Sequence, residues 1–151
     1  MNIMTPENEI EVWARENLPV YEFINLKVLS VSEGLYKCFV PLSVNTGNHI
    51  NTVHAAFQWA SAEILGGLIV LSNRKDDKYV PVVKNLSIEF KQPARTDITS
   101  EAMFSLEQVE EMNTALESSG RYDFELASVI KDSEGKVVAE TLGRYAVRTM
   151  G

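Results

Sequence analysis

Hydrophobic and polar residues follow two different periods along the chain, and the changes of period divide it into elements. Thr5-Pro6-Glu7 has the features of a helix start, with Thr as N-cap and Pro at the first helical position, and an apolar stripe then runs to Pro19. Residues 23–31 and 35–42 alternate instead, around a Ser32-Glu33-Gly34 turn, which predicts a β-hairpin. We therefore expect residues 1–20 to form a helical segment packed on the domain.

A long apolar segment follows a polar loop in the middle of the chain. Residues 54–71 are rich in alanine and glycine, and they include one carboxylate, Glu63. The long apolar segment is expected to be a helix, and its small side chains allow other backbone to approach it closely. Burial of an unpaired carboxylate is costly, so Glu63 needs either a partner or a function.

The second half of the chain is rich in predicted strands. Alternating or β-branched patterns predict strands over residues 79–90, 96–104, 121–131 and 136–148, with a short helix over 105–120. The sheet must bury its apolar face, and the helix over residues 54–71 is the one long apolar partner. The sequence therefore predicts an α+β fold, a curved antiparallel sheet wrapped around one central helix, as a single domain over residues 1–151. Its open edges favour dimerisation.

Composition and charge narrow the classes of partner. The chain has 151 residues and a net charge of −7, without a cluster of Lys or Arg, which argues against nucleic acid and anionic membranes. The single cysteine, Cys38, excludes an intrachain disulfide and lies in an alternating run, so we expect a buried strand thiol. The start of the chain lacks the features of a signal peptide and the apolar run 64–71 is too short to cross a bilayer, so we expect a cytoplasmic protein.

One motif resembles that of a known family. Asn48-x-x-Asn51-Thr52-Val53-His54-Ala55, followed by Glu63 nine residues after the histidine, resembles the signature of hotdog-fold acyl-CoA thioesterases of the PaaI-like type. The stretch 86–94 resembles the next strand of that family, and the layout is most similar to the DUF4442 branch. The resemblance implies a hotdog fold, a thioester of coenzyme A or of an acyl carrier protein as substrate, no separate cofactor, and a homodimer or dimer of dimers.

Thioester hydrolysis requires a base or nucleophile, a donor for the oxyanion and a pocket for the acyl group. Glu63 is the candidate base or nucleophile, and the Ala55 N–H at the helix N-terminus is the candidate oxyanion donor. His54 is expected to contact the thioester carbonyl and Asn48 to orient water. The further candidates, all for substrate binding, are Asn51, Phe57, Trp59, Asn85 and Ser87.

The spacing of His54 and Glu63 predicts where such a site would lie. Nine residues at about 100° each place the two side chains on roughly opposite faces of the helix, about 13 Å apart along its axis. They cannot serve one site within one chain. If both act, His54 of one subunit must meet Glu63 of another, at a dimer interface.

Other interpretations of these residues remain open. Glu63 could pair with a cation at a subunit interface, and His54 could simply cap the helix. His49 is expected to be a loop residue. A metal site from His49, His54 and Glu63 is not expected, because no third ligand is close to the two histidines. Ala55-Ala56 replaces the usual Gly-Gly pair, which favours a protein that binds an acyl thioester or another apolar ligand without hydrolysis. A hydratase or dehydratase is a third possibility.

Overall fold

The computed structural model describes residues 4–150, and these contain four helices and six strands. The helices are α1 (Pro6–Asn17), α2 (Pro19–Phe23), α3 (Ala55–Asn73) and α4 (Leu106–Ser119). The strands are β1 (Lys27–Ser32), β2 (Leu35–Val40), β3 (Tyr79–Phe90), β4 (Ile98–Met103), β5 (Arg121–Lys131) and β6 (Val137–Thr149).

All six strands form one antiparallel sheet in the order β1-β2-β4-β5-β6-β3, so β1 and β3 are its edges. The curved sheet packs against α3, whose apolar residues are the centre of the core, and the predicted α+β architecture is confirmed. α3 packs against all six strands and α1, which explains why ten of its nineteen residues are buried.

The largest departures from the predicted elements lie around Pro19 and at the start of β1, for identifiable reasons. Pro19 does not simply end the first helical segment: Leu18 breaks it with an extended backbone, and Pro19 then starts α2, where proline is well tolerated. Phe23 consequently belongs to α2, and β1 begins only at Lys27. A β-bulge between Val28 and Ser30 then shifts the alternation of β1 by one residue.

Two adjacent glycines of α3 have different surroundings. A Cβ atom on Gly66 would lie 2.2 Å from Cε1 of Tyr145, whose ring fills the space beside the glycine. The Tyr145 hydroxyl donates to the backbone carbonyl of Glu63 at 2.9 Å. A Cβ on Gly67 would meet nothing within 4 Å. Gly66 therefore leaves room for the Tyr145 ring of β6 to pack closely against α3, whereas Gly67 borders open space.

Cys38 lies on the inner face of β2 and is fully buried, as the alternating pattern predicts. Its thiol donates to the carbonyl of Ser61 at 3.1 Å. Burial raises the pKa of the Cys38 thiol to about 12, because a thiolate is poorly solvated inside the protein. The thiol is a packing group in the interior.

Within residues 4–150, α3 is the one helix whose length and composition would allow it to cross a membrane, with a mean hydropathy of 1.4 over its most apolar window. Here α3 is the core helix of the domain and packs against all six strands of the sheet. Its apolar character is explained by this burial.

Candidate active site

His54 ends the polar loop and caps α3. Its Nδ1 atom accepts a hydrogen bond from the backbone N–H of Ala56 at 2.9 Å. This contact satisfies one of the N–H groups that a helix leaves unpaired in its first turn. The structure therefore gives His54 the capping role that was one of its two interpretations, and the ring remains exposed.

Asn48 organises the same loop from within. Its Oδ1 accepts from the backbone N–H groups of Ile50 and Thr52, at 3.1 and 3.0 Å, and its Nδ2 donates to Oγ1 of Thr52 at 2.8 Å. Asn51 completes the turn with a left-handed backbone, φ = 59°, which asparagine tolerates better than most residues. The Asn48 side chain thus holds the loop that leads into α3.

The backbone N–H of Ala55 points out of the first turn of α3. Among residues 4–150 it has no hydrogen-bond acceptor, and Ala55 is exposed. An unpaired N–H at the positive end of a helix dipole suits a negatively charged oxygen. The feature required of an oxyanion donor is present at the predicted residue.

Glu63 lies elsewhere, in the wall of a groove of about 930 Å³ between the α1–α2 segment, α3 and β3. The lining is mostly apolar and includes Trp59, Ile64, Gly67 and Val82 beside Glu63. Burial raises the pKa of Glu63 above its usual range, and a hydrogen bond from a neighbouring hydroxyl partly opposes that shift. A partly buried carboxylate with a raised pKa, beside an apolar cavity, is a typical arrangement for a general base.

The hydroxyl that contacts Glu63 belongs to Tyr21, a residue of α2. Its oxygen lies 3.0 Å from Oε2 of Glu63 and 3.0 Å from the carbonyl oxygen of Ala60. From the other side, the Tyr145 hydroxyl holds the backbone of Glu63. Two tyrosines therefore fix this residue: Tyr21 from α2 contacts the carboxylate, and Tyr145 from β6 contacts the backbone carbonyl.

The structure separates the predicted site residues into two groups within one chain. Glu63 and Trp59 line the groove, and the indole N–H of Trp59 donates to the carbonyl of Leu86 at 3.0 Å. Phe57 instead packs beside His54, with ring centroids 5.8 Å apart. Since α3 is continuous, His54 and Glu63 lie about 13 Å apart along its axis.

Asn85 and Ser87 belong to neither group. Both are exposed on the edge strand β3, and the Ser87 hydroxyl donates to the carbonyl of Leu142 at 3.3 Å. Among residues 4–150, no three His, Cys, Asp or Glu side chains cluster as a metal ion would require.

The chain matches the family model described as a domain of unknown function, DUF4442, over residues 8–147. It belongs to the DUF4442 family. None of the functionally curated proteins matches it. The family assignment confirms the resemblance found in the motif around His54, and it covers the α1–α2 segment as well as the core.

Solved structures of similar proteins show that this DUF4442 protein has the hotdog fold, and some of those proteins are described as thioesterases. A Pseudomonas aeruginosa protein of unknown function, described as a probable thioesterase, is 25% identical, with a TM-score of 0.82 over 94% of this chain and 95% of that one. A Chlorobaculum tepidum protein of unknown function is 16% identical, with a TM-score of 0.83 and coverages of 95% and 94%. A Haemophilus influenzae thioesterase is 16% identical, with a TM-score of 0.73 and coverages of 98% and 93%. These likenesses show the fold of this chain, and two of the three neighbours are described as a probable thioesterase and a thioesterase.

Two residues that contact Glu63 in this DUF4442 protein were not found from the sequence. Tyr21 and Tyr145 are 42 positions before and 82 positions after their partner atoms in Glu63. No local spacing connects residues so far apart. One weak signal was present, since a buried carboxylate in an apolar helix requires a polar partner from some other element.

Proposed function

We propose that this protein hydrolyses the thioester of an acyl-CoA or of an acyl carrier protein, in a site between two copies of the chain, with Glu63 as base or nucleophile. The observation that carries the proposal is the position of Glu63, a partly buried carboxylate in the wall of an apolar groove of about 930 Å³. The groove offers the acyl group an apolar environment. Of the two carboxylates that line the groove, Glu63 is the partly buried one, whereas Asp77 is exposed.

The reaction follows from these groups. As a base, Glu63 takes a proton from water while the water oxygen bonds to the thioester carbonyl carbon, and the C–S bond then breaks to release the thiol. The raised pKa of Glu63 suits this role, because a general base is most effective when its pKa lies near the pH at which the enzyme works. As a nucleophile, the same carboxylate would attack the carbonyl carbon and expel the thiolate, and water would then cleave the resulting mixed anhydride to release the acid and regenerate Glu63. Neither route needs a cofactor beyond the CoA or carrier of the substrate, and we place the reaction in the cytoplasm.

A second copy of the chain would supply the oxyanion donor. The free N–H of Ala55 is about 13 Å along the helix from Glu63 of its own chain, which is too far for one reacting carbonyl. β3 is an edge strand, and its Val82 and Phe90 side chains are about half exposed. An edge strand of this kind can pair with the same strand of another copy, which would bring two α3 helices together.

The spacing of two residues altered in a relative supports the choice of Asn48 and Glu63. Structures of Staphylococcus aureus thioesterase variants carry a replaced glutamine in one case and a replaced glutamate in the other, fifteen positions apart along that chain. Asn48 and Glu63 have the same separation, with an amide before a carboxylate. In this chain the amide is shorter by one methylene and holds its own loop.

Replacement of the carboxylate tests the function. Glu63→Gln and Glu63→Ala should each lower acyl-CoA turnover by about 10²-fold or more, measured by thiol release over a series of chain lengths. Size-exclusion chromatography should show an unchanged oligomer. Full activity in both variants would contradict the proposal. Tight acyl-CoA binding by the wild type without thiol release would favour the non-catalytic alternative.

Subunit mixing tests the shared site. Ala55→Pro removes the N–H alone, because proline is favoured at the first helical position and His54 already has the extended backbone that precedes proline, φ −60° and ψ 138°. Ala55→Gly retains the N–H and is the matched control. A mixture of inactive Glu63→Gln and Ala55→Pro chains, refolded together, should regain about a quarter of wild-type activity if each site uses both subunits. No recovery would place the two groups in separate or intrachain sites.

A further inference from the structure

Tyr21 is the one side chain of residues 4–150 that hydrogen-bonds to the Glu63 carboxylate. It is buried in α2, and its hydroxyl reaches across to α3, where Oε2 of Glu63 and the carbonyl oxygen of Ala60 are both 3.0 Å away. The backbone of Tyr21 is fixed as well, because its carbonyl accepts from Leu26 at 3.0 Å. The hydroxyl is therefore held at a defined point beside the carboxylate.

The hydroxyl has one proton and two acceptors. When Glu63 is ionised, the carboxylate is the stronger acceptor, since hydrogen bonds to charged groups are shorter and stronger than neutral ones. When Glu63 gains a proton, its Oε2 becomes a weaker acceptor, and the Tyr21 proton can turn to the carbonyl of Ala60 at the same distance. The hydroxyl keeps a partner in both states, so a change of protonation at Glu63 leaves no buried donor unpaired.

The other groups around Glu63 do not duplicate this contact. From β6, the Tyr145 hydroxyl donates to the backbone carbonyl of Glu63, not to its carboxylate. Arg74 and Asp77 line the same groove, but Arg74 donates to the backbone carbonyls of Asp77 and Tyr79. No cation among residues 4–150 forms an ion pair with Glu63. Its Oε1 atom makes no hydrogen bond within the same residues.

We propose that Tyr21 is the positioning residue of Glu63: it holds Oε2 so that Oε1 remains available for the reaction, and it alternates between two acceptors as Glu63 gains and loses a proton. This inference rests on the function proposed above. It assigns a role to the α1–α2 segment, which supplies Tyr21 and one wall of the groove. The carboxylate would otherwise be free to rotate within the groove.

Tyr21→Phe tests the role, with Tyr79→Phe as the matched control. Tyr79 is also buried and also donates its hydroxyl to a backbone carbonyl, that of Leu116 at 3.2 Å, but it does not line the groove. Tyr21→Phe should lower kcat about tenfold with little change in KM. The acidic limb of its kcat/KM profile should move to higher pH, because Glu63 loses a hydrogen bond that lowers its pKa. Tyr79→Phe should keep the wild-type profile.

The outcomes separate this inference from the proposed function. A Tyr21→Phe enzyme whose rate and pH profile match those of Tyr79→Phe would overturn the positioning role, while inactive Glu63→Gln would still support the function. An active Glu63→Gln enzyme would overturn both.

A second measurement needs no change at Tyr21. In wild-type protein labelled with ¹³C at tyrosine Cζ, the Tyr21 signal should shift as Glu63 titrates, and Glu63→Gln should abolish that shift. A Tyr21 signal that ignores the titration of Glu63 would overturn the proposal, even if Tyr21→Phe failed to fold.

Discussion

The start and the middle of α3 hold their polar groups in different ways. At the start, Asn48 and His54 bond to atoms within four residues of themselves, and the loop is exposed. In the middle, Glu63 is held by Tyr21 and Tyr145, which belong to elements distant in the chain. The side-chain contacts of Asn48 and His54 are local, although the Val53 N–H also donates to the distant carbonyl of Ala94 at 2.8 Å. The contacts of Glu63 form only after the α1–α2 segment and β6 have packed. The proposed base therefore lies where the side-chain contacts are long-range.

Filling the groove should lower turnover strongly, and only from the middle of α3. Gly67→Leu places a side chain in the open space beside Glu63, so turnover of long acyl chains should fall by about 10- to 100-fold, with short chains less affected. Ser72→Leu is the control, since Ser72 is exposed near the end of the same helix and does not line the groove. An equal loss in both variants, assayed over acyl chain lengths, would show that the groove does not bind the acyl group.

The next prediction concerns packing. Gly66→Ala should lower the free energy of unfolding by about 1–3 kcal/mol, because its methyl group would overlap the Tyr145 ring. Gly67→Ala should be neutral or should stabilise by up to about 1 kcal/mol, because alanine favours the helix and the site is open. Urea denaturation of the pair measures the difference. Equal stabilities of the two variants would contradict the close packing of Tyr145 against Gly66.

At the start of α3 the expected effect is smaller. Asn48→Ala should lower the free energy of unfolding, measured by urea denaturation, by about 1 kcal/mol. The variant loses the oxygen that accepts from the Ile50 and Thr52 N–H groups and the amide that donates to the Thr52 hydroxyl. Asn85→Ala is the matched control, because that side chain is exposed and forms no hydrogen bond within residues 4–150. If Asn85→Ala proved as destabilising as Asn48→Ala, the loop would owe little to the amide.

The smallest expected effect is the contribution of Glu63 to the pH dependence of stability, and its sign is defined. Burial raises the pKa of Glu63 in the folded chain, so the folded state keeps this proton to a higher pH than the unfolded chain does. The associated stability is full below the ordinary value near 4.5 and is lost as pH rises through the raised pKa. Glu63→Gln should therefore match the wild type near pH 4 and exceed it in Tm at neutral pH. Thermal unfolding across that range would contradict the burial of Glu63 if the difference grew on acidification.

Much of the fold could be predicted because its signals are local. The bounds of β3 and β5 agree with the prediction to the residue, and the short helix expected over 105–120 forms as α4, with a capping box between Ser105 and Gln108. Local patterns also marked the loop that leads into His54. The period of side-chain burial and the chemistry of caps are properties of neighbouring residues, and such properties can be read from a sequence.

The groove could not be predicted, because it depends on where distant elements meet. Proline can end or begin a helix, and the pattern around Pro19 did not distinguish the two, so α2 and its Tyr21 were missed. The bulge in β1 also leaves no clear signal near Val28. Glu63 was identified as anomalous, but its partners arise from tertiary packing, which no spacing within the chain encodes.

The buried thiol of Cys38 has a practical consequence. With the thiol enclosed by α3 and a pKa near 12, the chain presents no reactive sulfur to a labelling reagent at neutral pH. A colorimetric assay for released coenzyme A would then report product alone, free of background from the protein. A cysteine introduced on the edge of β3 would likewise be the single site for a dye or a cross-linker, and the contact between copies could be mapped without first removing the native residue.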